Sequence, residues 1–303
     1  MNEYGQAEEG MRRKGIAVTF LSSLMLGSSY VAIKAGLADL DPFLYSGLAI
    51  GIGGMLVLLF TLLRGTFTWR IFRYWEAWAA PLVTFVLLAC QYTGLSLTSA
   101  SSGALIVGAN VLIVAPLSVL FFRDRFGKLR LIGLAIGMLG LLVLTTRLDF
   151  SSLARGELIG DLLLLVATTG IALTYVLSRF ALRRMTFDQW VLTIHLLTPL
   201  PLFALYLMFG DGGGLDGGLV PLVLYAGITC TGLPTLMWVW GLPHIGMVAS
   251  SVIILSESTF AVLLSVLLLN EPLSFEMLLG AVLVFVAIYL VVRGEGTKAV
   301  IKK

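Results

Sequence analysis

Glu257 is the only ionisable residue in the 23-residue run MVASSVIILSESTFAVLLSVLLL, Met247–Leu269, and it sits eleventh. A charge at the centre of a bilayer costs roughly 2.5–3.5 kcal/mol on insertion scales, so such groups face a bundle interior or a water-filled cavity. Asn110 lies 147 residues earlier, centred in GALIVGANVLIVAP. The two side chains suit two jobs: Asn110 hydrogen-bonding a solute, and Glu257 either meeting an amine on it or carrying a proton. The purely structural alternative is a protonated glutamic acid pinning two helices, at about 0.6–2 kcal/mol per interhelical hydrogen bond.

The same offset pairs Gln91 with Trp238. With Tyr92 they offer an aromatic wall with a few polar groups, which suits a pocket for a small amphipathic solute. Tryptophan and tyrosine also mark membrane interfaces, the alternative for these residues and for Trp240. Tyr30 in YVAIK aligns with Tyr175 in YVLSR, and both are candidate cavity residues. Lys34 and Arg179 end these two motifs. Each can snorkel to the headgroups or close a gate with an acidic partner across a cavity mouth. His195, beside Pro199 and Pro201, is either a proton relay or a hydrogen-bonding group at a kink.

Other chemistries lack their residues. The chain has no G-x-x-x-x-G-K-[ST] loop, no G-x-G-x-x-G after a strand and no H-E-x-x-H. Its two histidines, His195 and His244, share no metal-ligand spacing, so neither a metal nor a cofactor is expected. An enzyme would need a nucleophile with its base, or a metal cluster. Neither is visible, and an ATP-driven pump is excluded within this chain.

The elements that hold these residues follow from composition. Of 303 residues 58% are hydrophobic and 12% charged, with a mean hydropathy of +0.99. A soluble domain is nearer 45–50% apolar and about 25% charged. The chain is therefore read as an all-α integral membrane protein. Apolar runs of about 20 residues predict ten transmembrane helices, near 15–38, 42–63, 76–97, 101–122, 129–146, 158–180, 188–209, 219–241, 247–269 and 274–292. The first is read as a retained span, because its apolar run is longer than the roughly 7–15 residues of a signal-peptide core. Cys90 and Cys230 lie within apolar runs and imply no disulfide framework.

Seventeen of the 20 Lys and Arg residues fall on one side if both termini are cytoplasmic, and cytoplasmic loops are the basic ones. The net charge of +3 then reflects topology and implies no nucleic-acid partner.

Residues 94–133 align without a gap on 241–280, which divides the chain into repeats of five spans, 1–147 and 148–303. An odd number of spans makes the second copy enter from the other side. The loops agree, since RDRFGKLR after span 4 has four basic residues and its counterpart NEPLSFEM has none. Transporters built on inverted repeats carry their site near the midplane at the repeat interface. The motif GLAIG occurs twice, at 47–51 and 133–137, as a G-x-x-x-G packing face read as serving contacts within one chain.

These residues resemble the drug/metabolite transporter superfamily, specifically its paired five-helix EamA-type domains. The likeness covers nearly the whole chain and is clearest in GSSYVAIKAG (27–36), TSASSGALIVGANVLIVAPLSVLFFRDRFGKLRLIG (98–133) and ASSVIILSESTFAVLLSVLLLNEPLSFEMLLG (249–280). The acidic turn after the fourth helix of each half has Asp124 and Glu271. The chain departs from the pattern at Met25 and Leu26, where a tryptophan is usual, and at Leu263, the counterpart of Pro116. The resemblance implies two inverted five-helix repeats around a central cavity and export of amino acids or other small metabolites. It implies a multi-pass protein of the plasma membrane (the inner membrane in a prokaryote), surrounded by lipid, as a monomer or weak homodimer. Two alternatives stand beside it: a sugar-phosphate or nucleotide-sugar exchanger, and a non-transporting membrane interaction protein of the same fold.

Overall fold

A computed structural model describes residues 3–36, 39–97, 106–124, 127–149, 158–210, 216–269 and 274–294. Glu271, and with it most of the NEPLS turn, lies outside the described residues, as do the side chains of Tyr30 and Lys34. The described part is helical throughout and contains no strand. The helices are α1 (Glu3–Gly36), α2 (Pro42–Leu63), α3 (Glu76–Leu97), α4 (Asn110–Phe122), α5 (Lys128–Thr146) and α6 (Leu158–Ala181). They continue as α7 (Phe187–Leu197), α8 (Pro199–Phe209), α9 (Val220–Tyr225), α10 (Leu233–Ile245), α11 (Met247–Ile254), α12 (Ser256–Leu269) and α13 (Phe275–Gly294). A π-helical segment, Ala226–Gly232, joins α9 to α10.

Eight stretches among the described residues are long and apolar enough to cross a membrane, and Ile106–Phe122 is a shorter apolar helix. Their outer faces carry large apolar side chains in the open, Leu207 at 82% exposure among them. A surface of that kind is stable against hydrocarbon and not against water. The structure thus agrees with an integral membrane helical protein.

Helix ends follow local chemistry. Asp41 caps α2, its carboxylate accepting from Phe43 N at 2.8 Å and Leu44 N at 3.1 Å, with Pro42 at the first position where its missing N–H costs nothing. Ahead of α7 the Gln189 side chain reaches back to accept from Thr186 N at 3.0 Å.

Four expected spans are not continuous. The run 101–122 has a turn at Ala109, ahead of α4. The run 188–209 divides at Thr198, ahead of Pro199, which has no N–H to continue the ladder. The run 247–269 divides at Leu255 without any proline or glycine. There Ser251 and Ser256 donate to the carbonyls of Val248 at 3.0 Å and Ile253 at 2.6 Å, a back-bonding that bends helices. The run beginning at 219 extends to Ile245 and contains the π segment. Pro234 has no N–H for the Cys230 carbonyl, and Thr231 Oγ1 donates to Gly227 O at 2.6 Å.

Glycines let particular helices touch through their backbones. A Cβ at Gly160 would stand 3.1 Å from the Gly94 carbonyl oxygen, bringing α6 onto α3. At Gly241 it would stand 3.1 Å from the Gly15 carbonyl oxygen, bringing α10 onto α1. At Gly280 it would stand 2.8 Å from the Gly140 carbonyl oxygen, bringing α13 onto α5. The GLAIG glycines likewise serve contacts inside the chain, with Gly47 against Phe203 and Gly133 against Val291.

Candidate functional site

The helices enclose a cavity of about 310 Å³. Six of the residues predicted to bind a solute line it together: Asn110, Glu257, Gln91, Tyr92, Trp238 and Tyr175. The seventh, Tyr30, and the gate candidate Lys34 have side chains outside the described part.

Asn110 follows a turn at Ala109 that separates α4 from the helical residues 106–108. Its Nδ2 donates to Val107 O at 2.9 Å, while its Oδ1 is buried and has no hydrogen-bond partner. Glu257 sits equally close to a break, in the first turn of α12 just past Leu255.

Trp238 and Tyr175 form one wall. Their rings meet edge to face with centroids 4.8 Å apart, and Trp238 Nε1 donates to Ser250 Oγ at 2.9 Å. Trp238 thus packs inward, on the cavity. Trp240 is not among the lining residues and packs its ring on His244 at 5.0 Å.

Other lining residues were not singled out in the sequence. The Tyr45 hydroxyl and Thr84 Oγ1 are buried, line the cavity and have no hydrogen-bond partner. Cys230 and Thr231 arrive with the π segment. His195 also lines the cavity, its Nδ1 within 3.1 Å of Val191 O in the turn before the Thr198 break. It fits the kink reading in its position.

The cavity stops at Tyr175 and Trp238, toward the end of the bundle where α4, α6 and α10 finish and α7 and α11 begin. Beyond them Phe122, Phe180, Leu242 and Met247 pack into one apolar cluster. Ion pairs come next at this arginine-rich end. Arg179 holds Asp124 with N···O distances of 2.6 and 3.2 Å, its guanidinium 4.2 Å from the Phe122 ring centroid. Arg64 lies 3.5 Å from the fully buried Asp188, which also accepts from Thr66 Oγ1. Arg184 lies 3.4 Å from the buried Glu76. Each pair joins a residue before position 148 to one after it. Among the described residues no three His, Cys, Asp or Glu side chains gather to hold a metal ion.

The model of the EamA-like transporter family matches residues 13–146 and again 158–293. The chain is similar to an uncharacterized transporter of Bacillus subtilis, YoaV, at 21% identity over 88% of this chain and 93% of the relative. It is similar to an uncharacterized transporter of Archaeoglobus fulgidus at 23% identity, over 91% of this chain and 98% of the relative. A chloroplastic WAT1-related protein of Arabidopsis thaliana is 27% identical over 89% of this chain and 67% of its own length. A solved crystal structure superposes with a TM-score of 0.80 at 17% identity, over 91% of this chain and 95% of that one.

Proposed function

The chain belongs to the EamA-like transporter family, and from that premise we propose that it is a secondary transporter of small amphipathic metabolites, amino acids first among them. As a member of a transporter family it is a membrane transporter; substrate and mechanism are our reading. The observation that carries it is the pairing of Asn110 with Glu257 on one cavity, each just past a break in its helix. Transporter sites form in this way, where discontinuous helices meet near the bilayer midplane.

In this reading the helices make ten crossings, adding α1 and Ile106–Phe122 to the eight longer stretches. They form two inverted halves, 1–147 and 148–303. The glycine contacts support this arrangement. Gly94 packs on Gly160, and Gly241, its counterpart 147 residues on, packs on Gly15. Exchanging the halves exchanges the contacts. With both termini cytoplasmic, the arginine-rich end is the cytoplasmic one. The Arg179–Asp124 pair then closes the cytoplasmic mouth and opens as the halves rock. Lys34 is the candidate gate residue of the other mouth, and Glu257 carries the coupling proton. Net export is the proposed direction.

None of the described lining residues is Lys or Arg, which favours amphipathic solutes over sugar phosphates, whose dianionic groups need several cations. The test is efflux from proteoliposomes preloaded with labelled amino acids, for wild type and Glu257→Gln, with and without a pH gradient. Saturable efflux that loses its pH response in the variant is expected. Absence of efflux for every amino acid would sink the substrate assignment. Unchanged function in both Glu257→Gln and Asn110→Ala would favour a non-transporting interaction protein.

A further inference from the structure

Asn110 is oriented without ambiguity. The atom 2.9 Å from the Val107 carbonyl has to be the amide nitrogen, because two oxygens would not hold that contact. The remaining atom, Oδ1, is then an acceptor, buried and without a hydrogen-bond partner. Buried polar atoms in folded proteins are nearly always paired, and an exception at a cavity wall points to a missing ligand group. That group must be a donor. Glu257, the repeat counterpart of Asn110, brings a carboxyl to the same cavity.

The rest of the wall narrows the ligand further. Leu26, Ile50, Leu87, Ile171 and Ile254 supply apolar surface. The described lining offers no Lys or Arg to receive an anion, and Arg179 is committed to Asp124. A volume of about 310 Å³ lies at the small end of ligand pockets, which run from roughly 300 to 1,000 Å³.

We propose that Asn110 and Glu257 together form a subsite for a primary ammonium group on a small apolar body. Glu257 supplies charge, and Asn110 Oδ1 accepts an N–H. This rests on the reading of the cavity as the solute site and deepens it. The recognised feature of an amino acid is its amine, and the carboxylate is dispensable. Small lipophilic primary amines are therefore the substrate class, and an amino acid is held through the same ammonium group. A quaternary ammonium keeps the charge and has no N–H to give, so the site discriminates against it.

The experiment is isothermal titration of the purified full-length protein with 2-phenylethylamine and its N-acetyl and N,N,N-trimethyl derivatives. We expect the primary amine to bind, the trimethyl compound to bind at least about tenfold more weakly, and the neutral N-acetyl compound not to bind. The tenfold figure is the lower range for one hydrogen bond to a charged group. Asn110→Leu should bring the primary amine to within about twofold of the trimethyl compound. Glu257→Gln should weaken both cations alike. Equal binding of the primary and trimethyl compounds to wild type, or binding of the N-acetyl compound, overturns this inference and leaves the cavity reading standing. That comparison needs no variant to fold. Failure of all three compounds to bind, in a preparation that still transports amino acids, overturns the inference alone. Failure of both binding and transport overturns the two together.

Discussion

Arg179 grips Asp124 through both carboxylate oxygens, at 2.6 and 3.2 Å, and the Phe122 ring lies 4.2 Å from the guanidinium carbon. The pair is mostly buried, where screening by salt is weak. Hydrogen bonds to charged groups contribute about 1.5–3 kcal/mol each. Arg179→Ala should therefore shift the equilibrium toward a state open at the arginine-rich end by about tenfold or more. The chain supplies its own reporter, since Cys230 lines the cavity and Cys90 is the only other cysteine. In a Cys90→Ser background, a membrane-impermeant maleimide added from that end should label Cys230 faster in the variant. Equal rates would mean the pair does not hold the mouth shut.

Asp188 is fully buried, with Arg64 and the Thr66 hydroxyl as partners. Removing the cation strands a buried anion, whereas removing the anion strands a half-exposed arginine that water can reach. Arg64→Ala should lower stability by about 1–3 kcal/mol. Asp188→Asn should cost less, and the double variant should regain part of the Arg64→Ala loss. Thermal unfolding in one detergent checks the order. An Asp188→Asn variant less stable than Arg64→Ala contradicts it.

A methyl group at Gly280 would come within 2.8 Å of the Gly140 carbonyl oxygen, whereas nothing lies within 4 Å at Gly127. Overpacking of this kind costs about 1–3 kcal/mol. Gly280→Ala should lower the unfolding temperature and Gly127→Ala should leave it unchanged. A tolerant Gly280 would show that α5 and α13 can slide apart without loss.

Trp238 is oriented by its bond to Ser250, 2.9 Å long. Trp238→Phe and Ser250→Ala should each weaken solute affinity. Their double variant should be no worse than the stronger single one, since contacting pairs couple by about 0.5–3 kcal/mol. Strict additivity in a binding titration would mean the indole N–H does not set the ring's position.

Much of this arrangement could be read from the chain itself. The bilayer demands apolar runs of fixed length, so 42–63 and 76–97 meet α2 and α3 residue for residue. Polar side chains inside such runs have few places to go, and that alone marks Asn110, Gln91 and Glu257 as cavity residues. Tyr45 and Thr84 were not legible because their part depends on how α2 and α3 are rotated. The break at Leu255 has no proline or glycine to announce it and arises from serine hydroxyls competing for carbonyls. The ion pairs Arg64–Asp188 and Arg184–Glu76 join residues more than 100 positions apart. Charge alone does not say which acid an arginine will meet.

The π turn at Ala226–Gly232 is the one place in this span where the chain can lose a residue without turning the binding surface. Such a turn holds one residue more than the α-helix it interrupts. Taking that residue out would close the ladder into continuous α-helix and leave α10 close to its present rotation against α9, with Trp238 still on the cavity wall. The same deletion inside α10, ahead of Trp238, meets no such slack and would swing that ring by about 100°. Length is thus forgiven at the π turn and decisive one turn further on.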